Sequence, residues 1–381
     1  EDEYLSGRTV ELGGNNLVNF ASCSYLGLEL DSRLKEGACD AVMRYGTQFS
    51  SSRAYISLGL YQEAEALFSQ IFGSPVLITG STTLGHHAFL PAMIGSRDAV
   101  LMDHQVHASL QSASQNLRAR GVPVETLRHN QMDLLEESLR RLEGQHERVW
   151  YFADGLYSMY GDFAPAAELL SLLEGHEKLH LYIDDAHGVS WTGERGCGFA
   201  RTRFGLHPRI FLAASLSKSF GAGGGLLIFP DEASRDWVRT CGGTLIFAGP
   251  LQPPTLGALL ASARIHLSPE LALRQQKLAD HIALFNRLLE QRNLPQPEKT
   301  GSPIFYLRAG APERAVALAR RLMERGYLTN LAIFPSVPYQ SAGVRVILNH
   351  HLLSADLIGL ALALHEEMQV LEAGSKIRSI A

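Results

Sequence analysis

The chain is 381 residues long, 46% hydrophobic and 19% charged, with a formal net charge of −5. This length exceeds one ordinary domain and predicts a large and a smaller one, while so weak an acidic balance gives no electrostatic reason to expect nucleic acid or an anionic membrane as a partner. No apolar run is long enough to span a membrane, and four cysteines without CxxC spacing (Cys23, Cys39, Cys197, Cys241) suit a reducing cytoplasm rather than a disulfide framework or a zinc site.

Residues 1–45 read as an N-terminal arm and a helix. Arg8–Gly14 and Leu17–Phe20 predict a small hairpin with Gly13, Gly14, Asn15 and Asn16 in its turn. Asp31 is placed to cap a helix reaching Arg44, with Leu34, Ala38 and Ala41 inward. Phe49–Ile56 is a polar loop, and Leu60–Phe72 a helix ended by Gly73. Val76–Thr79 is a strand that passes through Gly80, Ser81 and Thr82 into a helix around His86–Met93. A strand, a small polar turn and a helix N-terminus make a ready anion site, although plain capping by Ser81 or Thr82 explains the same residues.

Ala99–Met102 is a strand ending in Asp103, His104 and His107. The two histidines stand three apart, but no third ligand follows at a metal-binding spacing, so no metal is expected and a ring stacked on a planar cofactor is the better reading of His107. Val122–Leu127, a helix over Met132–Leu142 and a strand at Val149–Phe152 follow, the last leading to Asp154 and Ser158. This alternation predicts an α/β fold with a doubly wound, mostly parallel sheet over 46–250. Cys241–Pro254 is rich in glycine and proline and reads as a crossing into a smaller α+β C-terminal domain over 251–381, with helices at Thr255–Ile265, Leu271–Arg292, Ala315–Arg325 and Leu357–Leu371 and strands at Ile304–Leu307 and Val344–Leu348.

Two stretches organise the rest. Leu179–Ile183 is an apolar run that predicts a buried parallel strand with Asp184 at its carboxyl end, where α/β sheets bind ligands. Ile210–Ala214 predicts another, delivering Lys218 into serines and glycines. Taken alone, Lys218 is a surface lysine and Asp184 a cap or turn former. Together, an acid and a lysine at adjacent strand ends fit a cofactor held by its ring nitrogen and its aldehyde, the arrangement of pyridoxal 5′-phosphate (PLP).

With these residues assembled, the chain resembles the α-oxoamine synthases, a family of fold-type I PLP-dependent transferases. The motifs that carry the resemblance are Asp103 with His107 and Ser109, Tyr157–Asp162, Asp184–Gly188, and Ser215–Gly221. The resemblance implies that Lys218 binds the cofactor aldehyde and later moves the substrate α-proton, Asp184 pairs with the ring nitrogen, His187 and Ser158 lie at the ring oxygen, and His107 stacks on the ring. It implies that Gly80, Ser81, Thr82 and Ser215 serve the phosphate. Arg345 matches the arginine that grips the amino acid carboxylate, although an arginine on an edge strand reads by itself as a solvated charge.

The implied reaction condenses an amino acid with an acyl thioester, from acyl-CoA or an acyl carrier protein. Decarboxylation usually follows, to give an α-amino ketone, with His187 also placed to polarise the attacked carbonyl. A homodimer with its site at the interface is implied as well. The chain departs from the family at Phe49–Arg53, where the pattern has a glycine-rich loop, at Cys23 in place of Asn, and at Ala248-Gly249 in place of a Ser-Thr phosphate contact. Ile246–Pro253 is spaced like the branch that makes α-aminoketone signals. Two other readings stand beside this one: another PLP reaction such as transamination or aldol cleavage, for which the same Asp and Lys suffice, and a non-catalytic subunit, which tends to lose the lysine.

Overall fold

The computed structural model describes residues 5–294 and 300–378, with side chains described as far as Glu372; the first four residues of the expected N-terminal arm lie outside this range. The chain divides into two compact units. One runs over Asp31–Tyr157 and Phe163–Ala272; the other takes the residues up to Leu30, Ser158–Asp162 and those from Leu273 onward.

The larger unit is built on a seven-stranded sheet, in the order Val76–Thr79, Gly225–Ile228, Ile210–Ser215, Leu179–Asp184, Val149–Asp154, Ala99–Asp103, Val124–Leu127. Neighbouring strands are parallel except Gly225–Ile228, which runs against both its neighbours. Five of the strands are mostly apolar and buried along their whole length, with Trp150, Tyr151 and Phe152 fully enclosed, and Tyr182 on Leu179–Asp184 is enclosed as well. That is the signature of a sheet covered on both faces. One face packs on helices Gly59–Phe72 and Met132–Leu142 through Phe68, Leu135 and Leu139, the other on Thr82–Met93 and Ala108–Ala119 through Phe89 and Leu110.

Sequence reading does not find the strand Gly225–Ile228, because its four residues follow a run of glycines and carry no periodicity of their own. Gly225 has a specific reason to be glycine. A Cβ there would stand 2.3 Å from the Thr82 backbone nitrogen, so the strand can lie against the Ser81–Thr82 turn only without a side chain.

The helix Ser32–Tyr45, capped by Asp31 as expected, packs on Pro253–His266 in the same unit. Their crossing is close: a Cβ on Gly257 would lie 2.1 Å from the Gly37 carbonyl oxygen. The glycine- and proline-rich stretch read as a domain crossing contains a short helix, Gly243–Phe247, and the larger unit continues past it to Ala272.

In the smaller unit, Thr9–Leu12 and Asn15–Asn19 form a hairpin extended by Tyr327–Leu328. Its turn is Gly13-Gly14 alone, not the four residues expected, since both glycines adopt positive φ and Leu12 pairs directly with Asn15. A second sheet places Ala342–Ile347 between Ile304–Gly310 and Asn330–Ala332. Arg345 therefore sits on a central strand, not the edge strand that sequence alone suggested.

Candidate active site

The parallel strands of the larger unit end in polar side chains at one edge: Asp103, Asp154, Asp184 and Ser215 are the last residues of their strands, and all four are buried. Register makes neighbours of Asp154 and Asp184, and of Asp184 and Ala213. Beyond these ends lies a cavity of about 170 Å³, bounded among others by Ser81, Thr82, His107, Asp184, His187 and Lys218. The larger unit thus brings together seven of the residues expected at the site, Ser215 and these six. Gly80 stands directly before Ser81 in the same turn.

Asp184 is the electrostatic centre. Burial works against its charge, but the hydrogen bond from His86, the positive charge of Lys218 and the Ala186 N–H (3.0 Å to Oδ1) outweigh burial and hold the carboxyl below its ordinary range. His86 Nε2 donates to Asp184 Oδ2 at 3.1 Å, and its Nδ1 accepts the Tyr182 hydroxyl at 2.8 Å. Sequence reading did not single out His86; one histidine inside an apolar helix gives no sign that it faces a strand-end acid.

Asp154 has the opposite fate. Burial, then the nearby charge of Asp184, pushes its carboxyl well above the ordinary range, although the His107 N–H bonds its Oδ1 at 3.3 Å. His107 caps the helix Ala108–Ala119 by accepting the Ser109 N–H on Nδ1, which leaves its ring proton on Nε2. Burial foremost, with Lys218 and His86 adding to it against the pull of Asp184, lowers its pKa, so the ring is a neutral, cofactor-sized flat surface. Burial also pushes the Asp185 carboxyl well above its ordinary range, and three glycines enclose it: a Cβ on Gly155, Gly188 or Gly198 would come within 2.5 Å of its carboxyl oxygens.

Ser81 caps the helix Thr82–Met93 by accepting the Leu84 N–H at 3.1 Å, as the capping reading expects, and Ser81 and Thr82 border the cavity. Thr82 Oγ1 donates to the Ala214 carbonyl at 3.1 Å, which ties the turn to the strand before Lys218. Ser215 and Ser217 hydroxyls are 3.0 Å apart. The loop itself is closed by Leu216 N–H to Gly224 O and Gly221 N–H to Lys218 O, both 3.0 Å.

These donors fit PLP. An anionic buried carboxylate suits a protonated ring nitrogen, a lysine in the same cavity suits the aldehyde, and hydroxyls with a helix N-terminus suit the phosphate. Ser158 and Arg345 belong to the smaller unit, where Arg345 Nη1 donates to the Ser158 carbonyl at 2.8 Å and Arg345 Nε is buried without a hydrogen bond. Among the described residues no group of three His, Cys, Asp or Glu side chains is arranged to hold a metal ion.

The sequence profile of the family described as aminotransferase class I and II matches residues 15–350. The chain is 32% identical over 379 residues to a protein named 8-amino-7-oxononanoate synthase from Maricaulis maris, covering 98% of this chain and 92% of that one. It is 32% identical over 370 residues to the protein of the same name from Dechloromonas aromatica, covering 96% and 93%. Among solved structures, a serine palmitoyltransferase from S. paucimobilis with a bound PLP–myriocin aldimine superposes with a TM-score of 0.89 at 20% identity, over 98% of this chain and 92% of that one. The 8-amino-7-oxononanoate synthase of Francisella tularensis superposes with a TM-score of 0.78 at 21% identity, over 93% and 98%. The fold is that of the fold-type I PLP enzymes, and the chain belongs to the aminotransferase class I and II family and, within it, to the PLP-dependent α-oxoamine synthases.

Proposed function

We propose that this chain joins an amino acid to an acyl thioester and releases an α-amino ketone, with Lys218 and Asp184 at the centre of the reaction. The observation that carries this reading is the pairing of a lysine with a buried, anionic Asp184 in one cavity at the strand ends. The relatives' name supports the product class, since an amino group at position 8 beside an oxo group at position 7 is an α-amino ketone.

The chemistry supplied by bound PLP is an electron sink that acidifies the α-carbon of an attached amino acid. Asp184 keeps the ring nitrogen protonated, and His86 keeps Asp184 ionised. Lys218 Nζ would hold the aldehyde and would serve as the general base for the α-proton. His107, which lines the same cavity, would lie against the face of the ring. His187 and Ser158 are assigned to the ring oxygen, with His187 polarising the thioester carbonyl as it is attacked. Gly80, Ser81, Thr82 and Ser215 hold the phosphate. Arg345 grips the amino acid carboxylate, for which a planar two-pronged donor is suited. The acyl group arrives on coenzyme A or a carrier protein.

A homodimer is part of this reading. Tyr55 and Phe247 are 89% and 87% exposed, and the loop of Tyr55 is tied to the helix Gly243–Phe247 by the Ser52 hydroxyl donating to the Ile246 carbonyl; two large exposed apolar side chains on joined segments favour a second copy as their cover. A cytoplasmic location is proposed from four unpaired cysteines; no helix among the described residues is long and apolar enough to cross a membrane. The test is thiol release from a series of acyl-CoA esters by the PLP-loaded protein. Release that requires one amino acid and is lost in Lys218→Ala supports the proposal; amino acid turnover without thiol release contradicts it.

A further inference from the structure

A buried polar chain links the loop that follows His187 with the loop that follows Lys218. His266 is 1% exposed at the end of the helix Pro253–His266. Its Nδ1 lies 2.8 Å from the Ser262 carbonyl oxygen, which can only accept, so Nδ1 carries the proton and Nε2 is the acceptor. The Ser190 hydroxyl therefore donates to His266 Nε2, at 2.8 Å. Ser262 in turn donates its hydroxyl to the Phe220 carbonyl at 2.7 Å, and the His266 ring stacks on the Phe220 ring at 4.2 Å.

Ser190 stands three residues after His187, and Phe220 two residues after Lys218. One imidazole thus touches both loops. The contact is held under constraint. Ser190 adopts φ of +75°, a conformation that side chains other than glycine seldom take, and its N–H donates to Gly196 O at 2.8 Å. A Cβ on Gly196 would come 2.7 Å from His266 Cδ2, so this second loop residue has no side chain where the ring passes. A serine kept at positive φ and a glycine kept bare beside the same ring have a common explanation in the hydrogen bond to His266.

We propose that His266 is a positioning residue, which through Ser190 and Ser262 fixes the His187 loop and the Lys218 loop in one mutual arrangement and so sets the geometry with which both meet the cofactor. The inference rests on the reading that Lys218 and His187 hold PLP.

The decisive variant is Ser190→Gly. Glycine suits φ of +75°, so the backbone strain is relieved as the hydroxyl is lost, and thermal stability stays close to wild type. Removal of one buried positioning hydrogen bond then lowers PLP affinity, read from tryptophan fluorescence quenching of the apoprotein, and kcat, each by about tenfold with the amino acid KM unchanged. The visible circular dichroism of bound PLP weakens as the ring loses its fixed orientation. His266→Phe, which keeps the stack on Phe220 and loses both hydrogen bonds, behaves alike; should it fail to fold, Ser190→Gly decides alone. A stable Ser190→Gly protein with wild-type PLP affinity, dichroism and kcat overturns the proposal and leaves the network a packing feature. Wild-type protein that binds PLP no better than Lys218→Ala overturns the cofactor reading instead, and the inference falls with it.

Discussion

Asp154 and Asp184 are register partners on neighbouring parallel strands and are both buried, yet their surroundings drive their protons apart. Two adjacent buried carboxyls cannot both ionise cheaply. Lys218 favours the charge of both, but Asp184 also has the His86 ring and the Ala186 N–H, whereas Asp154 has one long backbone hydrogen bond and the charge of Asp184 against it. The asymmetry of partners assigns the roles.

It follows that Asp154→Asn, which copies a neutral carboxyl, leaves PLP affinity and kcat within about threefold of wild type, whereas Asp184→Asn lowers kcat by roughly 100-fold or more, the scale of losing a partner to transition-state charge. Steady-state kinetics of the two variants checks the assignment. Equal losses in both would refute it.

His86 gives a pH prediction. With His86 in place the Asp184 pKa is lowered, so Asp184 remains ionised as pH falls. In His86→Phe burial is opposed by fewer partners and that pKa rises. The acid limb of PLP binding therefore moves to higher pH, which a titration of PLP affinity between pH 5 and 8, spanning roughly the working range of such groups, reads directly.

How much of this was legible in the sequence differs from part to part. Strands such as Leu179–Asp184 and Val149–Asp154 declare themselves because both faces are buried and most positions ahead of the terminal Asp are apolar. Gly225–Ile228 does not, since its place is set by the close approach to Ser81–Thr82 and not by any local pattern. Lys218, Asp184 and His107 are legible because their motifs are contiguous. His86, Asp154 and His266 act through partners about 98, 47 and 76 residues away in sequence, a distance over which no spacing rule operates.

Arg345 lies in the smaller unit with one Nη bonded to the Ser158 carbonyl and Nε buried and unbonded. Arg345→Ala is expected to raise the amino acid KM by about 10- to 100-fold, the loss of a charge-assisted hydrogen bond, with a smaller effect on the KM of the thioester. Arg345→Lys recovers little of it, because an ammonium cannot reproduce the planar fork. Amino acid saturation curves for both variants test this; an unchanged KM in Arg345→Ala assigns the carboxylate to another residue.

His350 links pH to stability. Burial first, then the neighbouring charges of Lys277 and Arg274, lower its pKa to about 4. Unfolded, it titrates at the ordinary histidine value, so the unfolded chain binds the proton more readily. The stability that a neutral His350 contributes is complete above the unfolded value, near 6.5, and is lost as pH falls from there toward the folded value. Urea midpoints at pH 7.5 and 5.5, chosen roughly on either side of that unfolded value, should fall less in His350→Gln than in wild type. Parallel falls in the two proteins would place the acid sensitivity elsewhere.

Carbon–carbon bond formation at the α-carbon is the central claim, and isotope tracing reads it most directly. The PLP-loaded protein is given an acyl thioester and an amino acid labelled separately at the carboxyl and at the α-carbon, and products are followed by mass spectrometry. The account predicts an amino ketone that retains the α-carbon label, carboxyl label released as carbon dioxide, free thiol in equal amount, and none of these with Lys218→Ala. Label recovered in an oxo acid, with the thioester intact, would contradict it.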